Sequence, residues 1–411
     1  MTASGAEQLS VEERLALAEL VELSRSYGSD RELVIGGGGN TSVKFEGHLL
    51  VKASGAALET IRGEDFVDLD RGMLQALLES EIGGPRDERE SAFKDAVMGA
   101  RLHPERNQRP SVESVLHHLM PGKFVVHLHS TLVNQFSCSR EGRRLVAELG
   151  DDVIWVDLVD PGLVLAQALQ QGLTRFVRVT GRSCPRAVIL QNHGSVVSGD
   201  TPREVKDRAD WLTAALGRLR ERAHASAQAR EVQQSGTHLT SESAQALVNA
   251  IGPALRALLG RPGGTLQVVT FDSSGEVLEL LARSDAREIV MAGPLTPDQI
   301  VYCHSFPLWF EPGQAVTSVV ARLEQAVREY TEVHRVPPVV VLVPGLGLFA
   351  SGASWHDAET ARLVYVDSIK VLAGALGMGG AHYLPADFRE FIEHWEVEAY
   401  RRSVAGKAPS A

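Results

Sequence analysis

Ala187-Val-Ile-Leu-Gln-Asn-His-Gly-Ser-Val-Val-Ser-Gly199 reads as an apolar strand, a polar turn around Asn192-His193-Gly194, and a second strand closing on Ser-Gly. Short apolar runs rich in branched residues, punctuated by asparagine and glycine, carry strand and turn chemistry. The same order returns in Val339-Val-Val-Leu-Val-Pro-Gly-Leu-Gly-Leu-Phe-Ala-Ser-Gly352, with Gly347 in the place of Gly194 and an acidic helix start after each Ser-Gly pair. Laying Val125-Val-His-Leu-His-Ser130 on Ile300-Val-Tyr-Cys-His-Ser305 extends the likeness: His127 becomes Tyr302, His129 becomes His304 and His193 becomes Leu346. The second half is therefore expected to be a degenerate copy of the first that keeps one of the three histidines. Any chemistry is expected in the first half.

Working outward, Ser10 to about Tyr27 has helical apolar spacing, and Leu33-Val34-Ile35 leads into the glycine run Gly36–Gly39. Alternating stretches Asn40–Phe45 and Leu49–Lys52, joined at Glu46-Gly47, predict a hairpin. Further strands are predicted at Phe124–His129, Val153–Val156 and Ala187–Gln191, and helices at Ser111–Leu119, Arg140–Leu149, Val164–Gln171 and Arg203–Arg222. This is a mixed α/β pattern whose hairpins argue against a purely parallel sheet. The polar stretch from Ala223 to about Thr240 reads as a helical tail and linker, so the expected domains are 1–225, a linker at 226–242, and a second α/β domain at 243–411.

The chain has 411 residues, of which 44% are apolar, enough for packed cores and for more than one domain. A net charge of −11 opposes general nucleic-acid binding, which needs a basic surface to displace counterions. Cys138, Cys184 and Cys303 are scattered without CxxC spacing, which fits a reducing compartment and offers no thiolate zinc site. The acidic N-terminus lacks the features of a signal peptide, and no apolar run reaches membrane-spanning length. A cytoplasmic globular protein without a membrane partner is expected.

Side chains alternate along a strand, so His127 and His129 should share a face, with Leu128 pointing away. A third imidazole, His193, ends another apolar strand. Three neutral imidazoles suit Zn²⁺ or another divalent first-row metal, and three protein ligands leave a coordination position open for catalysis. A lone HxH is more often surface decoration or core filler; the added Asn-His-Gly strand end raises the metal reading above it. Glu113 follows Pro110-Ser111, read as a helix entrance with Ser111 as cap, where a carboxylate could move protons or merely offset the helix dipole. The glycine run and Lys52-Ala-Ser-Gly55 are small-residue turns able to bring backbone N–H groups to an anion, or simple flexible connections.

GGGGNTSVKFEGHLLVKASG, RPSVES, VVHLHS and LQNHGSVVSGDTPREV, in that order, resemble the class II aldolase/adducin family over roughly Leu9 to Leu219. The resemblance implies an α/β/α fold with a central, mostly antiparallel sheet, and a zinc ion held by His127, His129 and His193. It places Glu113 as the acid/base, and Asn40, Thr41, Ser54, Gly55 and Ser111 on phosphate-binding loops. One departure is Val112, where short sugar-phosphate aldolases often carry a second serine. The activity implied is reversible aldol cleavage of a ketose 1-phosphate through a metal-bound enediolate. Epimerases, dehydratases and decarboxylases run on the same kind of site, and an adducin-like interaction protein uses the fold without catalysis. A homo-oligomer is implied as well, with the second half standing in for a neighbouring subunit.

Ala292-Gly-Pro-Leu-Thr-Pro-Asp298 and Val343-Pro-Gly-Leu-Gly-Leu-Phe349 are similar to proteins that join a rhamnulose-phosphate aldolase region to an alcohol dehydrogenase, whose dehydrogenase part is not expected within these residues. Gly345-Leu-Gly-Leu-Phe-Ala350 also fits GxGxxA, with Asp367 following, as in a nicotinamide site. That motif needs a helix opening at the glycines, whereas strand-like residues follow here and a helix is expected only near Ser354 or His356. No sequence feature names a proton donor for the aldehyde oxygen; Tyr383 and Tyr400 are open candidates.

Overall fold

A computed structural model of the chain describes residues 9–80, 82–227, 240–260, 266–313 and 318–394. Most of the expected linker, and Tyr400, lie outside the described residues. The chain divides into two compact units, one within Met1–Arg222 and one within Ala223–His394.

The first unit is built on strands β1 (Asn40–Lys44), β2 (His48–Lys52), β3 (Phe66–Asp70), β4 (Phe124–Leu128), β5 (Val153–Val156), β6 (Ala187–Leu190) and β7 (Gly194–Gly199). They form one seven-stranded sheet in the order β3-β2-β1-β4-β7-β6-β5. Every neighbouring pair is antiparallel except β5 with β6. The opening helix, Val11–Gly28, starts at a capping box in which Ser10 and Glu13 satisfy each other's backbone N–H groups. Along β4, Val125 faces a core shared with Leu116 and Met120, and with Leu165 and Leu169 of the Leu163–Thr180 helix. Such cores stabilise by removing apolar surface from water, about 25 cal/mol per Å². Strand β3 and the helices Arg71–Glu79 and Arg86–Gly99 carry no strong sequence signal, since Phe66-Val-Asp-Leu-Asp70 is short and holds two acids. The helix predicted from Ser111 begins instead at Ser114, with Glu113 as its N-cap residue.

The second unit contains β8 (Val268–Asp272), β9 (Leu308–Trp309), β10 (Val340–Val343) and β11 (Gly347–Gly352), ordered β8-β11-β10-β9. Here β9 and β10 are parallel and the other pairs antiparallel, the same arrangement as β4-β7-β6-β5. The correspondence of Gly194 with Gly347 holds, since each opens the second strand of its hairpin. Trp155 and Trp309 occupy matching strand positions, and each indole N–H donates to an acid two residues on, Asp157 or Glu311.

The proposed match of 125–130 with 300–305 is overturned. Residues Pro297–Cys303 form a helix, started by the Thr296 cap and by a proline in the first turn. The counterpart of β4 is β8: Gly352 pairs with Val268 as Gly199 pairs with Phe124. In that register His127 corresponds to Phe271, His129 to Ser273 and His193 to Leu346, so none of the three histidines is kept. Gly345 lies in the β10–β11 turn and Gly347 opens β11, and the next helix, Trp355–Leu376, opens after Ser354. A dinucleotide fingerprint needs the helix at the glycines themselves.

Candidate metal centre

His127 sits in β4 between Asn40 on β1 and Val196 on β7. The strand alternation brings His129 to the same side. His193 comes from the β6–β7 turn, where Asn192 takes a left-handed conformation at φ 56°. The three ring centroids stand 4.8, 4.9 and 5.0 Å apart. The Nε2 atoms of His127 and His129 are 3.0 Å apart, and one candidate ligand atom from each ring lies within 4.8 Å of the others.

His127 is fully buried, and its Nδ1–H donates to the carbonyl of Ser195 at 3.0 Å. That bond fixes the tautomer and leaves Nε2 as a bare acceptor aimed into the cluster. Burial pushes the imidazole down to about 3, against the pull of the Glu113 carboxylate, so it is neutral at physiological pH. Glu113 Oε1 lies 3.2 Å from His193 Nε2 and 3.4 Å from His127 Nε2, and Oε2 accepts from the Asn40 amide. Burial opposes its charge, yet the surrounding histidine cluster, with a hydrogen bond from His193, holds the carboxyl well below the usual carboxylate range. Two ligand nitrogens on one tetrahedral ion, each at about 2.0–2.1 Å, stand about 3.3 Å apart. The spacing therefore fits a divalent first-row metal. His129 and His193 are partly exposed, which leaves the cluster open on one side.

Asn40, Glu113 and the three histidines thus come together. Ser54 N–H donates to the Arg109 carbonyl at 2.8 Å and Ala53 bridges Pro110, which ties the Ser54-Gly55 turn to the segment leading into Glu113. The Ser111 hydroxyl accepts from the N–H of Glu113 at 3.2 Å and so shapes the turn that presents it. Thr41 points to the opposite face, where its hydroxyl meets Ser24 of the opening helix at 2.7 Å. Tyr383 donates to Ile289 within the second unit. Two contributors were not singled out from the sequence. Ser195 acts through its carbonyl, which leaves no trace in residue type. Lys52 is 1% exposed and donates to Gly37 at 3.2 Å and Ala56 at 2.6 Å, tying the glycine run to the Ser54 turn. A lysine closing the apolar run Leu49-Leu-Val51 was the available signal.

Residues 18–217 match the family model of the class II aldolase and adducin N-terminal domain, and residues 246–401 that of the aldolase class II, second domain. The chain belongs to the class II aldolase/adducin family. It is 24% identical over 418 residues to the uncharacterized oxidoreductase YuxG of Bacillus subtilis (strain 168), covering 94% of this chain and 58% of that protein. The chain thus spans less than two thirds of that relative's length. An N-terminal class II aldolase domain of a conserved protein from Thermoplasma acidophilum is 28% identical, with 49% of this chain and 92% of that one covered, at a TM-score of 0.43. For L-fuculose-1-phosphate aldolase from Thermus thermophilus the figures are 19%, 49% and 90%, at a TM-score of 0.31. No helix among the described residues is long and apolar enough to cross a membrane.

Proposed function

We propose that this chain is a metal-dependent carbon–carbon lyase that cleaves a ketose 1-phosphate, or a related sugar, by reversible retro-aldol chemistry, and that it works as a homo-oligomer. The observation that carries the reading is a cluster of three imidazoles, two of which, His127 and His193, meet a single buried carboxylate, Glu113. His127, His129 and His193 would hold the ion. A divalent metal, when bound, supplies Lewis-acid stabilisation of the negative charge left when the carbon–carbon bond breaks. Glu113, held as a carboxylate, takes and returns a proton at the reacting carbon or hydroxyl. Asn40 fixes the carboxylate's direction through its amide. The Ser54-Gly55 turn, Ser111 and the backbone around Thr41 are the candidates for holding a phosphate.

Epimerisation, dehydration and decarboxylation share the initial carbanion and are alternative outcomes on the same residues. A non-catalytic scaffold has no use for a charged group buried among imidazoles, which costs several kcal/mol unless it is compensated. The word oxidoreductase in the relative's name belongs to a longer protein, and in this chain the nicotinamide-like glycines lie in a hairpin.

The test is metal analysis of the purified protein beside a His127→Ala/His129→Ala variant, followed by a screen of ketose phosphates for aldehyde release. About one divalent ion per chain, lost in the variant together with aldehyde release, is the expected outcome. Absence of metal in the wild type after reloading overturns the reading. Metal with no aldehyde release, but with another product, selects one of the alternatives.

A further inference from the structure

The Ser114–Leu119 helix has six residues, too few to be stable alone, and its N-cap residue makes no side-chain capping bond. Tertiary contacts must therefore set its position, and with it the position of Glu113. Those contacts include a set of buried hydrogen bonds to alternate residues of β1, which share one face of the sheet. Asn40 donates to the carboxylate of Glu113. Ser42 Oγ meets His117 Nδ1 at 2.8 Å. Lys44 Nζ donates to the backbone carbonyls of His117, at 3.3 Å, and of Met120. On the helix side, Glu113, His117 and Met120 follow i, i+4, i+7 spacing and so present one face.

We propose that Ser42, Lys44 and His117 are positioning residues, the rungs of a polar ladder between β1 and this helix that fixes the Glu113 carboxylate within the histidine cluster. The inference rests on the lyase reading for the role of Glu113. Apolar packing alone tolerates sliding and repacking, whereas hydrogen bonds prescribe both distance and direction. Lys44 does this at the end of the helix, where the last carbonyls have no partner within the helix. His117 is fully buried, and its Nε2 has no hydrogen-bond partner among the described residues. Leaving an N–H unbonded there is unfavourable, so the favoured tautomer carries its proton on Nδ1 and donates to Ser42. Ser42 lies opposite Val125 on β4 and Asn40 opposite His127, so the strand that aligns the ladder is paired with the strand that carries the histidines. A displacement of Glu113 by about 1 Å is enough to cost a hundredfold in rate.

The test compares wild type, Ser42→Ala, Lys44→Met and Lys44→Arg after Co²⁺ loading. Ser42→Ala and Lys44→Met are expected to bind about as much Co²⁺ as wild type but with an altered visible spectrum, because the carboxylate beside the ion has moved. Their kcat should fall about 10- to 100-fold while KM changes less than about threefold. Lys44→Arg, which can reach the same carbonyls, should restore both. Wild-type spectra and kcat in folded Ser42→Ala overturn the proposal even if Lys44→Met does not fold. If the wild type takes up no Co²⁺, the lyase reading falls and this inference falls with it. If it takes up Co²⁺ but releases no aldehyde, only the reaction assignment is lost, and the spectra still decide on the ladder.

Discussion

Gly194→Ala probes whether the candidate metal centre is held by backbone packing. A Cβ at this position would stand 2.2 Å from the Leu128 carbonyl oxygen, 3.1 Å from the Leu128 carbonyl carbon and 3.3 Å from the His129 Cα. The first contact is about 1 Å or more too short for non-bonded atoms, and its partner is strand backbone that cannot rotate away. Relief requires the β6–β7 turn to lift from β4, which carries His193 away from His127 and His129. Metal–ligand distances tolerate about 0.2 Å, so zinc affinity should fall by at least about 10- to 100-fold. Gly347→Ala is the control in the second unit, with its Cβ 2.3 Å from the Asp272 carbonyl oxygen, a φ of 145° that adds backbone strain, and no histidine at the corresponding positions. Both variants should lose stability, about 1–3 kcal/mol for overpacking, read as a lowered Tm. Only Gly194→Ala should lose zinc affinity, measured by competition with a chromogenic chelator. Wild-type affinity in a Gly194→Ala protein whose Tm is clearly lowered would refute the reasoning.

Glu113→Gln preserves size and can still accept from Asn40, but removes the base. Its kcat should drop about 10²- to 10⁴-fold with metal content retained, and an unchanged kcat in steady-state assays would remove Glu113 from the chemistry. His48 bridges Asp68 at 2.6 Å and Glu13 of the opening helix at 3.0 Å, with His103 4.0 Å from the same Asp68. The hydrogen bond to Asp68 chiefly raises its pKa, burial opposes this, and Glu13 adds to the rise. The protonated imidazole therefore stabilises the fold fully below its unfolded value of about 6.5, and the contribution fades as pH rises through the raised folded value. His48→Gln should accordingly cost more stability near pH 5.5 than near pH 9 in denaturant titrations, and equal losses at the two would contradict this.

The site was legible in the sequence where chemistry and periodicity coincide. His-Leu-His on a strand forces two imidazoles to one face, and Asn-His-Gly marks a strand end, so the cluster followed from residue type and spacing. Glu113 was legible as a carboxylate near a helix entrance, but its helix starts three residues later than Ser111, because the Ser111 hydroxyl shapes a turn instead of capping. At Thr41 strand alternation adds what the loop reading lacks: its hydroxyl meets Ser24 of the opening helix, on the opposite face of β1 from Asn40. The false register at 300–305 arose because Ile300-Val-Tyr has a strand-like composition, while the decisive signal, Thr296-Pro297, lies upstream. The true counterpart, Val268-Val-Thr-Phe-Asp272, shares only Val269 with the β4 run, at the place of Val125, and strand pairing was needed to find it.

That register bears on why the histidines are present at all. At the position of His127 the second unit places Phe271, which packs on Phe349 with ring centroids 4.8 Å apart. Phe349 in turn corresponds to Val196, the residue paired with His127. The same strand order, hairpin and tryptophan–acid pair therefore form around a self-satisfied apolar contact. A fold that forms in this way does not require imidazoles there, and burying polar rings beside a carboxylate is the more costly solution. Fold and site are separable, and the chemistry has to be argued from the site. The second unit forms the same architecture without the histidine cluster and Glu113, which supports the metal-centre reading proposed above.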